Sequence, residues 1–159
     1  MDTQFENSKL TYKDEWLTPP ELVRSLGPFD LDPCSPVNRP WDTAAQHYTK
    51  DDDGLMLPWS GRVWCNPPYG NELANWLNKC ALHKNCIALV FARVETNAFF
   101  NYVWPHACGV LFIKGRVRFY DIDGNKGGTP GAPSMLIAFD QQNARCLKDC
   151  GIAGKYVEL

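Results

Sequence analysis

Residues 85–93, NCIALVFAR, hold an unbroken apolar run from Cys86 to Ala92. A strand with one wet face alternates polar and apolar residues. A run without alternation belongs to a strand covered on both faces, as in the parallel sheets of α/β domains. The run is far short of the ~20 residues that would cross a bilayer. This segment commits the chain to a sheet with helices on both sides.

The neighbouring segments supply the other parts. WLTPPELVRSLG reads as a short helix, with Thr18 as cap, Pro19 and Pro20 in the first turn, and Gly27 as stop. FDLDPCSP reads as a strand ending at Pro33, with Phe29 and Leu31 on one side and Asp30 and Asp32 on the other. Residues 36–60 read as loop, anchored by Trp41 and Trp59. GRVWCNPPYG is a second strand that runs into a proline pair. From Glu72 to Leu82, the spacing of Leu73, Trp76, Leu77 and Cys80 predicts a helix. TNAFFNYVWPHA predicts a short helix closed by Pro105, and GVLFIKGRVRFYD and SMLIAFD predict two late strands. Between them GNKGGTPGAP is long for a tight hairpin and is expected to be mobile. The order argues for an α/β sheet with a crossed-over parallel part and a final hairpin. The chain's 159 residues suit one domain, with residues 1–13 expected to be loose.

Charge and cysteine content narrow the function. The net charge of −2 gives no global basic field, so a nucleic-acid partner would need a local patch. Seven cysteines are scattered without a two-residue spacing, and no signal-peptide pattern opens the chain. Reduced thiols and a cytoplasmic setting are expected. A zinc site from His106, Cys146 and Cys150 is a minor alternative; no metal is expected.

Asn66-Pro67-Pro68-Tyr69 follows the second strand directly. In open α/β sheets ligands bind at the carboxyl ends of strands. Asp32-Pro33, this corner and Arg93-Val94-Glu95 all sit at such ends. The amino group of adenine is a poor nucleophile, because its lone pair is delocalised into the ring. Two acceptors on its two N–H bonds would free that pair. The Asn66 side-chain oxygen and the Pro67 carbonyl are candidates. Prolines fix the backbone and donate no competing N–H, and preorganised dipoles are what electrostatic catalysis needs. Tyr69 offers a flat face to a base taken out of a helix. The bland alternative is a rigid corner with a core tyrosine.

Asn66-Pro67-Pro68-Tyr69 matches the [DNS]-P-P-[YFW] motif of amino-group methyltransferases. More widely, DEWLTPPELVRSLGPFDLDPCSP, DDDGLMLPWSGRVWCNPPYG and GRVRF with GAPSMLIAFD make residues 14–140 resemble the compact phage-type DNA N6-adenine methyltransferases. The resemblance implies a trimmed Rossmann-like fold, mostly parallel with a C-terminal antiparallel hairpin. It also implies S-adenosylmethionine as cofactor and double-stranded DNA as substrate, in the cytoplasm of a bacterial host. It assigns catalysis to Asn66, Pro67, Pro68 and Tyr69. It implies that Thr18 and Pro19 contact the methionine end of the cofactor, that Asp32-Pro33-Cys34 form the acidic turn near it, and that Asp53 meets its adenine amino group, with Asp51 and Asp52 as competing neighbours. A cationic sulfonium and ammonium suit a region of several carboxylates with no nearby lysine, and Asp30 is included on that ground. The turn DPCSPVNRP departs from the superfamily in having no glycine, so Tyr48 or Trp59 is a candidate to cover the cofactor instead.

For DNA, Arg93 and the cluster Lys114, Arg116 and Arg118 are the candidates, the last three on one face of the predicted strand. The alternatives are the same chemistry on RNA or a protein glutamine, and a catalytically silent nucleic-acid-binding module.

Overall fold

In the computed structural model, which describes residues 15–159, the apolar run forms β4 (Cys86–Phe91), a central strand buried on both faces. Cys86, Ala88 and Val90 face one hydrophobic cluster, Ile87 and Leu89 the other. The expected loose segment 1–13 lies outside the described residues.

Before β4 come α1 (Pro20–Leu26), β1 (Leu31–Asp32), β2 (Gln46–His47), β3 (Val63–Cys65) and α2 (Leu73–His83). After it come a single π-helical turn (Phe99–Val103), β5 (Gly109–Ile113), β6 (Ser134–Ala138), α3 (Gln141–Asp149) and β7 (Gly154–Glu158). The strands form one sheet in the order β2-β1-β3-β4-β6-β5-β7. β2, β1, β3 and β4 pair in parallel, whereas β6 pairs antiparallel with both β4 and β5, and β7 antiparallel with β5. The fold is thus mixed α/β, parallel in its first half and antiparallel in its second. α2 and the π-helical turn cover one face of the sheet, with Trp76, Leu77, Cys80 and Phe99 in the core. α1 and α3 cover the other, through Leu22, Val23, Leu26, Ala144 and Leu147.

Several local expectations are corrected. Thr18 does not cap α1: Pro19 holds the cap position, and no side chain bonds there. Pro20 stands at the first helical position, where its missing N–H costs nothing. The region 36–60 contains β2. The strand predicted to run through Arg118 ends at Ile113, because Gly115 turns with φ +77°. The connection from β5 to β6 is tied down rather than free. Leu17 and Tyr120 exchange backbone hydrogen bonds of 2.8 and 2.9 Å, and the Gly127 N–H donates to the Phe119 carbonyl at 2.7 Å. Nothing in the sequence reading anticipated α3 or β7. No helix among the described residues is long and apolar enough to cross a membrane.

The amino ends of β1 and β3 are locked by Arg62. Its guanidinium donates to Asn143 Oδ1 at 2.8 Å and to the carbonyls of Leu26 and Pro28, and lies 4.4 Å from the centre of the Phe29 ring. Its backbone N–H donates to Asp30 Oδ2 at 2.7 Å.

Candidate active site

The parallel strands β1, β3 and β4 end on the same side of the sheet, and their following turns touch. Asn66 leaves β3 between the two others. Toward β1, the Cys34 thiol donates to the Asn66 carbonyl at 3.1 Å. Burial pushes the Cys34 thiol up, so it is protonated and able to donate. Toward α1, the Asn66 side-chain amide donates to Thr18 Oγ1 at 3.3 Å. Toward β4, Tyr69 lies on Phe91, with ring centroids 4.2 Å apart and planes 7° apart. Tyr69 nevertheless remains 44% exposed. Among the described residues, neither Asn66 Oδ1 nor the Pro67 carbonyl accepts a hydrogen bond. Pro67 is buried, while Pro68, Tyr69 and Gly70 are exposed. The corner is therefore a ledge with two acceptors to spare, exposed from Pro68 to Gly70.

Asp32 lies behind this ledge and is buried, unlike Asp30. It accepts from the Cys34 N–H at 3.2 Å and from the Thr43 hydroxyl. Thr43 is fixed in turn, because its N–H donates to His47 Nε2 at 3.2 Å. Burial lowers the His47 pKa, which keeps the ring neutral and able to accept. Burial also pushes the Asp32 carboxyl up to about 6, partly offset by the bonds from Thr43 and Cys34. No ion pair with Asp32 occurs among the described residues. The Arg39 charge also favours the carboxylate, but from beyond ion-pair distance, so most of the desolvation cost stays uncompensated and the group is suited to a cationic ligand.

The acidic triplet is sorted by its bonds. Asp52 is consumed locally, accepting the Thr49 N–H at 2.8 Å. Among the described residues the Asp53 side chain has no hydrogen-bond partner, and its backbone turns with φ 61°. Gly54 packs so closely on the Pro33 carbonyl that a Cβ there would collide with it, which sets Asp53 beside the Asp32-Pro33 turn. The expectation of no nearby lysine fails here. Lys79 Nζ donates to the Gly54, Leu55 and Leu57 carbonyls, and its charge acts on Asp53. Trp59 stacks on Trp76 rather than reaching the ledge. Tyr48 brackets the turn, receiving the Ser35 N–H at 2.9 Å and donating its own N–H to the Asp32 carbonyl at 2.9 Å.

Thr18, Asp32, Cys34, Asn66 and Tyr69 are thus brought together. Asp30 is not: it stands at the amino end of β1, holding the Arg62 backbone. Arg93 lies on the same edge as the ledge, exposed, with no ion pair to Glu95 among the described residues. Lys114 stands apart, but Arg116 and Arg118 line a groove of about 340 Å³ with Pro19, Ser25 and Lys126. A larger groove of about 570 Å³, lined by Leu55, Met56, Trp59 and Leu82, holds Trp59 but none of the predicted catalytic, cofactor-binding or DNA-binding residues. Its position between α2 and the 54–59 loop sets it apart from the strand ends. Phe91, Thr43 and Lys126 were missed from the sequence. Phe91 had a signal, being the last residue of a strand that ends at the ligand-binding edge.

The His106, Cys146 and Cys150 alternative finds no support in the bonding. Cys146 donates to the Leu26 carbonyl and Cys150 to the Leu147 carbonyl. No cluster of three or more metal-ligating side chains occurs among the described residues.

Comparison with curated proteins and with solved structures gave no match. A family model, DNA N-6-adenine-methyltransferase (Dam), matches residues 6–148 and so covers most of the chain, including every residue of the ledge. The chain belongs to the DNA N-6-adenine-methyltransferase (Dam) family.

Proposed function

We propose that this chain transfers a methyl group from S-adenosylmethionine to the exocyclic amino group of adenine in double-stranded DNA, on a trimmed Rossmann-like methyltransferase sheet. The observation that carries this reading is the pair of unengaged acceptors, Asn66 Oδ1 and the Pro67 carbonyl, on one rigid corner. An exocyclic amine has two N–H bonds, and each acceptor takes one. That draws the nitrogen lone pair out of the ring and toward the methyl donor. Because the prolines fix the Pro67 carbonyl and the Thr18 bond anchors the Asn66 amide beforehand, little reorganisation remains for the transition state. The second face of Tyr69, backed by Phe91, stacks the extruded base. No general base is needed, since the proton leaves to water after methylation.

Bound S-adenosylmethionine supplies a methyl group activated by a sulfonium. The residues present fit such a cation: Asp32 offers a buried carboxylate without an ion pair. Pro33, Cys34 and Asp53 lie around it, with Asp53 available to an amino group, and Pro19 follows Thr18 on the other side of Asn66. Arg116, Arg118 and Lys126 take backbone phosphates in the groove beside Pro19, and Arg93 takes another at the ledge's rim. A DNA substrate and seven free thiols suit the cytoplasm.

The test is transfer of labelled methyl to adenine-containing duplex, with RNA and a glutamine peptide as parallel substrates. Label on duplex adenine is expected. Asn66→Ala should lower turnover at least ~100-fold, the cost of losing one well-placed polar group. Label on RNA or peptide instead would reassign the substrate, and no label on any would leave a binding module.

A further inference from the structure

A primary amide has two ends of opposite polarity. With Oδ1 outward, Asn66 accepts from an incoming amine. Turned over, it would present N–H to N–H and repel the same group. The incoming amine favours the first orientation, and a hydroxyl, which can donate or accept, holds the side chain there by accepting from Nδ2. At Asn66 the neighbour that touches the amide is Thr18, whose Oγ1 accepts from Nδ2 at 3.3 Å. Thr18 is 2% exposed, so water does not compete freely for this bond. Its backbone is fixed on both sides. Leu17 exchanges two hydrogen bonds with Tyr120, and Pro19 and Pro20 follow. The Asn66 main chain is fixed independently by Cys34 Sγ at 3.1 Å. Two anchors from segments distant in sequence therefore converge on this one residue.

We infer that Thr18 is a positioning residue: its hydroxyl takes the Asn66 amide nitrogen and holds Oδ1 outward as the acceptor for the substrate amine. This rests on the methylation reading above, and it replaces the contact between Thr18 and the cofactor that the family resemblance implies. A cofactor contact would act on binding. An orienting role acts on the chemical step, and it is satisfied by any residue with a hydroxyl at the same place.

Thr18→Val keeps the shape and removes the acceptor. It should lower kcat by at least about tenfold, as small misplacements of a reacting group do, with KM for S-adenosylmethionine nearly unchanged. Thr18→Ser should recover most of the loss. A raised KM at unchanged kcat would overturn the inference, as would two variants that both behave like wild type. A second measurement needs neither turnover nor a stable Thr18→Val variant. In the wild-type chain the Asn66 side-chain ¹⁵N amide signal, assigned by its loss in Asn66→Asp, should show one proton protected from solvent exchange. Two freely exchanging protons would sink the orienting role. A protected proton in a chain that methylates nothing would keep the orientation and sink the methyltransferase reading instead.

Discussion

Tyr69 lies flat on Phe91, joining the proline corner after β3 to the last residue of β4. One face of the tyrosine is thereby used for rigidity; the proposed function gives the other to the substrate base. Tyr69→Phe preserves both faces and should leave kcat/KM on duplex DNA nearly intact. Tyr69→Ala should cost roughly 10- to 100-fold, in line with ~1–3 kcal/mol per stacked base. Phe91→Leu should fall between them, because the platform loses its backing. Equal damage from Tyr69→Phe and Tyr69→Ala would show that the hydroxyl matters and stacking does not.

The buried Asp32 gives a signed pH dependence. Its folded-state pKa, about 6, exceeds its ordinary value of 3.8. Folding therefore favours the protonated form. That contribution is complete below 3.8 and is lost as pH rises through about 6. Asp32→Asn keeps an acceptor for the Cys34 N–H and offers an N–H to Thr43, without a charge to bury. Chemical denaturation should find the variant more stable than wild type at pH 8, by up to about 3 kcal/mol, with the gap closing in acid.

Binding of the cofactor should respond to the same group in the opposite direction. A cation prefers the carboxylate, so wild-type affinity for S-adenosylmethionine should tighten about tenfold between pH 5 and pH 7.5. Titration calorimetry on Asp32→Asn should show weaker binding with a flat profile over this range. An unchanged affinity in the variant would remove Asp32 from the cofactor site.

The groove beside Pro19 makes a claim about salt. Each phosphate contact contributes about −0.9 to the slope of log K against log salt. Removing Arg116, Arg118 and Lys126 together should flatten that slope by about 2 to 3, measured by fluorescence anisotropy on a labelled duplex. Lys114→Ala, outside the groove, should change it little.

Arg62 should matter for stability and not for chemistry. Arg62→Ala leaves the Pro28 carbonyl and Asn143 Oδ1 without their donor and the Leu26 carbonyl with only the weak Cys146 thiol, at a cost of about 3 kcal/mol. Lysine cannot reproduce the fork and should rescue poorly. Because Arg62 stands at the amino ends of the strands, methyl transfer measured well below the melting transition should be unaffected.

The parts legible in the sequence were those driven by burial. β4, β3 and α2 announce themselves through apolar runs and helical spacing, and the acidic and proline-rich strand ends stand at the edge where the site is found. β2 has no such signal, being two residues, Gln46 and His47, neither of them buried. α3 has a mostly polar sequence with only Asn143, Ala144 and Leu147 buried, and β7 is an edge strand with little buried surface. The alternation reading of Asp30 and Asp32 fails because β1 spans only Leu31 and Asp32. One aspartate is then taken by the Arg62 turn and the other by the core. The bond between Thr18 and Asn66 joins segments with no local pattern in common, and sequence periodicity carries no trace of it.

The place of β6 between β4 and β5 has a consequence for biosynthesis. Ser134–Ala138 pairs with both neighbours, so the middle of the sheet is completed by residues that leave the ribosome late. Until they emerge, the inner edge of β4 lacks its partner, although the Asn66 corner has long been made. Closing that gap brings together segments far apart along the chain, a slow kind of step that exposes unpaired edges to association. Nascent chains arrested before residue 134 should therefore bind chaperones and show no methyl transfer, even with every residue of the ledge already synthesised.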